Sequence, residues 1–320
     1  MKELHRNEFL DEHCDSRLNI FSKYMSSEEL QSVTKKICNI YGLDKNITLT
    51  HGSEDSLYKL LLYFRKTFSK LLLTDISWDY YKDLGNKLEY HVDIIESKKE
   101  DILEPNEKKL INISSENHVL ILGNPCNPSG RKISEKNLKE IINKNTKIIL
   151  DCTYQSPEEF NKTVEKYFNY DIIFITSFSK FFGIPGIRLG FFVTRNELIH
   201  KSLELYLGMN NEISNTVNLI HDNSEYYVAI RKKIEKNIVV ICNKKFKNFN
   251  IFPSSSFILL VFKDNVSEYV ISEISKLFFC KVKYLKKKRV FIRISVSSTN
   301  KDYVLSILDS YDSFLNFVKD

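Results

Sequence analysis

Residues 171–193 read DIIFITSFSKFFGIPGIRLGFFV. The first eight, DIIFITSF, are an apolar run of the kind that forms a strand buried on both faces. The following residues break any regular period with glycine, proline and serine, and the chain then enters a second apolar run, LGFFV. Lys180 closes the first run and Arg188 precedes the second. An amine and a guanidinium are therefore expected on one strand–loop–strand frame.

The same rhythm extends toward the N-terminus. ITLT (47–50) ends in HGSED and passes into LYKLLLYF. HVLIL (118–122) ends in GNPCNPSG and passes into SEKNLKEIINKN, where Ser134 is placed to cap a helix; KIIL (147–150) ends at Asp151. Short apolar runs alternating with helical patterns predict an α/β fold with a mostly parallel, doubly wound sheet. In such sheets ligands bind beyond the carboxyl ends of the strands. Each unusual loop follows a strand, so all are expected on one rim. After about Asn215 the pattern changes to a polar helix (EYYVAIRKKIEKNIVVICNKKF), strand-like FPSSSFILLVF and CKVKYLKKKRVFIRISVSS, and a final helix, DYVLSILDSYDSFLNFV. We expect a short N-terminal arm over 1–26, a large domain over 27–215, and a smaller α+β domain over 216–320.

Composition is that of an ordinary globular protein, and the length suits about two domains. Its 320 residues are 42% hydrophobic and 28% charged, with a formal net charge of +6. The charges are interspersed except in KVKYLKKKR (281–289), read as a solvated strand because no aromatic-plus-basic RNA motif accompanies it. No apolar run approaches the roughly 18 residues of a membrane span, and the N-terminus lacks the apolar core of a signal peptide. Cys14, Cys38, Cys126, Cys152, Cys242 and Cys280 form no CxxC pair, which argues against zinc and against a disulfide framework. The expectation is a cytoplasmic protein with no metal, no membrane and no nucleic-acid partner.

The candidate site residues carry chemistry only in combination. A lysine condenses with a carbonyl and an arginine holds a phosphate bidentately, so Lys180 and Arg188 suit a ligand bearing both, such as pyridoxal phosphate. Asp151 at a strand end is either a turn aspartate or a carboxylate that keeps a pyridine nitrogen protonated. Tyr154, three residues on, either packs or donates to the ring's phenolic oxygen. Asn127 lies in a loop stiffened by two prolines, as a turn residue or as an amide aimed at the same oxygen. Gly52-Ser53-Glu54 joins a strand to a helix start, where free N–H groups receive anions. Trp78, the one tryptophan, is a core residue or a ring that stacks on the ligand. Arg293, in the alternating VFIRISVSS, requires an anion: a structural partner or a substrate carboxylate.

Taken in order, GSE (52–54), SW (77–78), NPxNPSG (124–130), DxxY (151–154), SxSKxxGxxGxRxG (177–190) and RIS (293–295) resemble the fold type I, pyridoxal-phosphate-dependent aminotransferases. The resemblance is strongest to the histidinol-phosphate aminotransferase branch, which includes threonine-phosphate decarboxylases. It covers nearly the whole chain from about Tyr24. It implies the aspartate aminotransferase-like fold, with Lys180 as Schiff-base lysine and proton shuttle and Asp151 at the pyridine nitrogen. Asn127 and Tyr154 would contact the phenolic oxygen, with Asn127 also beside the substrate. Ser177, Ser179, Arg188 and the Gly52-Ser53-Glu54 turn would hold the phosphate, Trp78 would stack, and Arg293 would grip the substrate α-carboxylate. Tyr24 falls near a tyrosine that reaches the partner's phosphate, which implies a homodimer.

The chain departs from that pattern at Ile76, Cys152 and Thr153, none of which removes a catalytic group, and in a short arm and a short loop before Arg293. Both shortenings remodel the substrate pocket, and the basic stretch at Lys283 lies near where relatives have a second arginine, so that reading a substrate phosphate is the alternative to a solvated strand. The implied reaction is a ping-pong transamination between an amino acid and a keto or aldehyde acceptor. A decarboxylase of an amino acid or amino-acid phosphate is the first alternative, and a pyridoxal-phosphate-binding protein without turnover the second.

Overall fold

The apolar runs become strands because their side chains are buried on both faces. The computed structural model describes residues 25–98, 103–203, 209, 211–254, 256–263, 266–267, 270, 281–285 and 289–319. Among these, β1 (Ile47–Thr50), β2 (Lys70–Thr74), β3 (His91–Ile95), β4 (His118–Gly123), β5 (Lys147–Asp151), β6 (Ile172–Ser177) and β7 (Gly190–Val193) form one sheet. Its order is β1-β7-β6-β5-β4-β2-β3. The pairs from β6 to β3 are parallel, and β7 alone runs antiparallel to both its neighbours. Every residue of β5 and β6 is buried, as expected where helices cover both faces of a parallel sheet.

Register brings the strand ends level. Gly123 pairs with Asp151, Asp151 with Ile175, and both Ser177 and Thr50 with Gly190. One face of the sheet packs on Leu57, Leu60, Leu61 and Phe64 of the helix Ser53–Phe64. Elsewhere Tyr41 meets Phe160, Phe178, Phe182 and Phe191 edge-on at centroid distances of 4.9–6.3 Å, a geometry that sets ring edges against ring faces. The helices are bounded by local chemistry. Ser26 with Glu29 and Ser156 with Glu159 form capping boxes, and Ser134 caps Glu135–Ile142 by accepting from the Asn137 amide, as its position in the sequence implied.

The chain divides into two units. The described residues up to Asn127, with Arg131–Glu225, make the first; Pro128–Gly130 and the described residues from Tyr226 onward belong to the second. Within the second, β8 (Phe249–Pro253), β9 (Phe257–Phe262), β10 (Lys281–Leu285) and β11 (Arg289–Ser295) form an antiparallel sheet in the order β10-β11-β9-β8. Ile258, Leu260, Ile292 and Ile294 pack there with Ile234, Ile238 and Ile241 of the helix Ser224–Cys242 and with Val304, Leu308 and Tyr311 of the helix Lys301–Lys319. The expected α/β class with a smaller α+β part is what the chain adopts. No helix among the described residues is long and apolar enough to cross a membrane.

Gly190 marks the tightest backbone approach near the site. A Cβ there would lie 2.7 Å from both Gly52 Cα and the Thr176 carbonyl oxygen, well inside contact distance. Gly190→Ala is expected to cost about 1–3 kcal/mol through overpacking, read as a lowered denaturation midpoint. A midpoint equal to that of the native chain would mean the two backbones separate without cost.

Candidate active site

The side chains singled out in the sequence sit where the parallel strands end. β5 delivers Asp151, which is 6% exposed. Its two oxygens are each occupied: the Tyr81 hydroxyl donates to Oδ2 at 2.6 Å and the Thr153 amide to Oδ1 at 2.9 Å. Burial pushes the Asp151 carboxyl above the ordinary aspartate range, opposed by these hydrogen bonds and by the positive charge of Lys180. The Thr153 contact is the local turn bond of the turn-aspartate reading, and the charge of Lys180 acts on the same carboxyl.

β6 delivers the lysine. Ser177 ends the strand with its hydroxyl accepting from the Ser179 amide at 3.0 Å, which starts the short helix Phe178–Phe181. Lys180 lies half-buried on that helix, which occupies the start of the loop between the two strands. The loop then returns through a 3₁₀ turn, Pro185–Ile187, to Arg188, whose backbone takes the left-handed conformation at φ 52°. Its guanidinium donates to the carbonyls of Pro185 and His51, each at 3.2 Å, and lies 3.5 Å from the Glu54 carboxylate. Gly52, at φ +90°, opens the helix Ser53–Phe64, and a Cβ there would stand 3.2 Å from Arg188 Nη2. A glycine that admits a guanidinium, first-turn amides and the hydroxyls of Ser53, Ser177 and Ser179 form a donor set suited to a phosphate.

The loops after β4 and β2 are tied to this rim. The Asn124 amide donates to the Asp151 carbonyl and Gln155 Nε2 to the Asn124 carbonyl, both at 2.8 Å, so the NPCNPSG loop is fixed to the turn after β5. Cys126 Sγ donates to the Ile76 carbonyl at 2.8 Å, which links it to the turn carrying Trp78. Asn127 is half-buried on this loop, and Tyr154 is half-buried beside Tyr81, whose hydroxyl its charge would influence. Trp78 stacks on Tyr80 at 4.8 Å and meets Tyr81 edge-on at 5.6 Å. The Tyr80 hydroxyl is held above its usual range by burial first and by the charges of Glu54 and Asp55 second, with Arg188 opposing.

The first unit therefore brings together Gly52, Ser53, Glu54, Trp78, Asn127, Asp151, Tyr154, Ser177, Ser179, Lys180 and Arg188 on the strand ends and the turns that follow them. Arg293 belongs to the other unit, on β11, half-buried with its guanidinium 5.2 Å from the centroid of Phe257. Tyr24 and the side chain of Lys283 lie outside the described residues. The departures have structural accounts: Ile76 is fully buried and offers its carbonyl to Cys126, Cys152 packs in the core with its thiol pushed up by burial, and Thr153 supplies the amide to Asp151. Sequence reading missed Tyr81, Gln155 and Cys126. Tyr81 alone carried a signal, an aromatic three residues after Trp78 and thus one helical turn away.

Residues 11–309 match the family model described as aminotransferase class I and II. The chain is 27% identical over 289 residues to the histidinol-phosphate aminotransferase of Clostridium beijerinckii, a match spanning 85% of this chain and 78% of that protein. Among solved structures, it is similar to the histidinol-phosphate aminotransferase from Clostridium acetobutylicum, with a TM-score of 0.75, 20% identity and 91% of each chain covered. It is also similar to the L-threonine-O-3-phosphate decarboxylase from Porphyromonas gingivalis, with a TM-score of 0.68, 19% identity, and 89% of this chain and 92% of that one covered.

The buried Asp151 has a consequence for stability. Its carboxyl holds a proton more tightly in the fold than in the unfolded chain. Its contribution therefore favours the fold below the ordinary aspartate pKa of about 3.9 and is lost as pH rises through the raised, folded value. Relative to the native chain, Asp151→Asn is expected to gain stability between about pH 4 and about pH 7. Thermal denaturation of the cofactor-free protein at both ends checks this, and a pH-independent difference would contradict it.

Proposed function

The chain belongs to the class I and II aminotransferases, and from that membership we propose that it moves an amino group from an amino acid to a keto or aldehyde acceptor in two ping-pong half-reactions. The observation that carries this reading is the meeting, on one rim, of Lys180, the buried Asp151 carboxylate and the Arg188–Gly52 anion cradle. The cofactor is pyridoxal phosphate, which when bound supplies an electron sink for the pair left on a substrate carbon after bond cleavage.

The residues divide the work by charge and position. Arg188, the first-turn amides at Gly52–Glu54, and Ser177 and Ser179 bind the phosphate. Asp151 holds a proton at the ring nitrogen, while Asn127 and Tyr154 orient the phenolic oxygen and Trp78 covers a ring face. Lys180 would hold the cofactor through its Nζ, and as a free amine the same Nζ would take up the proton leaving the substrate Cα. The charge of Lys180 acts on the Asp151 carboxyl, so the amine and the carboxylate share one site. Arg293 is assigned the substrate α-carboxylate, for which a guanidinium is a bidentate match. On this reading the enzyme is a cytoplasmic homodimer that takes small amino-acid substrates.

Lys180→Ala is expected to abolish the visible absorbance of the protein-bound cofactor and to lower turnover on the order of 10²–10⁴-fold, the range of a positioned general base. The native protein, loaded with pyridoxal phosphate, is then given amino acids and amino-acid phosphates one at a time. Release of a keto acid supports transamination. Release of carbon dioxide instead would replace it with decarboxylation, and native-like absorbance in Lys180→Ala would remove the lysine from its role.

A further inference from the structure

The aspartate at the strand end is not held by its own turn alone. We propose that Tyr81 is a positioning residue, whose hydroxyl clamps the Asp151 carboxylate in the plane and charge state in which it meets the ring nitrogen of the cofactor. The proposal rests on the role given to Asp151 above.

Three observations carry it. First, the contact is short and buried: the hydroxyl lies 2.6 Å from Oδ2, with Tyr81 2% and Asp151 6% exposed. That length is typical of a hydroxyl donating to an ionised oxygen. Second, the two carboxylate oxygens take donors from different parts of the chain. Oδ1 receives the Thr153 amide, two residues away, and Oδ2 receives a hydroxyl 70 residues away. The terminal torsion of an aspartate is soft and roughly two-fold, so one donor leaves the carboxylate free to swing about it, whereas two fix its plane.

Third, Tyr81 is itself held in place. Its amide donates to the Trp78 carbonyl at 3.0 Å and its ring meets the Trp78 indole at 5.6 Å, and it belongs to the buried core cluster that includes Leu57, Leu84 and Ile121. One helix start thus delivers both the aromatic ring and the hydroxyl. The hydroxyl's own ionisation is pushed well above the usual range by burial and by Asp151, so it remains a donor throughout neutral pH. A histidine in its place would lose or gain a proton near neutrality.

The test is a cycle of Tyr81→Phe, Asp151→Asn and the double variant. Phenylalanine keeps the core packing and removes the donor alone. The readout is the dissociation constant for pyridoxal phosphate added to cofactor-free protein, followed by absorbance across pH. In the native background Tyr81→Phe is expected to weaken cofactor binding about tenfold, the loss of one hydrogen bond to a charged group. It should also move the acid limb of binding to higher pH, because the unclamped carboxylate takes up a proton more readily. In the Asp151→Asn background the same change should matter less than about twofold. Equal losses in both backgrounds would make Tyr81 merely structural and overturn the proposal. Unchanged binding in Tyr81→Phe, with binding weakened in Asp151→Asn, would overturn the clamp and leave the aspartate's role standing. Unchanged binding in Asp151→Asn would remove that role and the clamp with it.

Discussion

Asp151 is the point at which a strand buried on both faces runs out of apolar sequence, and the rest of the site is arranged around the charge it leaves there. β5 is Lys147–Asp151, buried throughout. A carboxylate in the middle of such a strand would have no water and no partner. At its end, the turns after β2, β4 and β5 reach it with a hydroxyl and an amide, or brace the loop beside it. Parallel register then sets the ends of β4, β5 and β6 level, so the buried carboxylate lies where the loops after β2, β4 and β5 converge.

Much of this is legible in the sequence. The runs HVLIL, KIIL and DIIFITSF are continuous and short, which marks strands covered on both faces, and each stops at a residue type that a sheet interior rejects. β2 and β3 were harder to read. The leucines of KLLLT continue the leucine spacing of the helix before them, and the edge strand HVDII has polar residues and only partial burial. Its pattern does not separate from that of a loop. The lysine's setting was also less than fully legible, because SKFFG is too short to show a helical period even though it forms a single turn, Phe178–Phe181.

The least readable contacts were those between distant residues of ordinary type. Tyrosine is common in cores, and nothing in DISWDYY states that the second tyrosine of the pair ends 2.6 Å from a carboxylate 70 residues later. The same holds for Cys126 and Ile76, whose contact crosses 50 residues. Local signals such as caps and turns declare themselves, as Ser134 did. Pairings made by sheet order do not, because they depend on which strands become neighbours rather than on the residues themselves.

The single antiparallel strand has a consequence of scale. Because β7 returns directly beside β6, Lys180 and Arg188 sit on one tight loop rather than at opposite ends of a crossover. The loop is anchored at both ends, by Ser177 opposite Gly190 and by the near contact of Gly190 with Gly52. On the proposed function it works as a ruler: the number of residues between the amine and the guanidinium sets the length of molecule that touches both. Adding or removing one residue there would change the gauge of the site while leaving each group's chemistry intact, so of all the loops on this rim it is the one least free to drift in length.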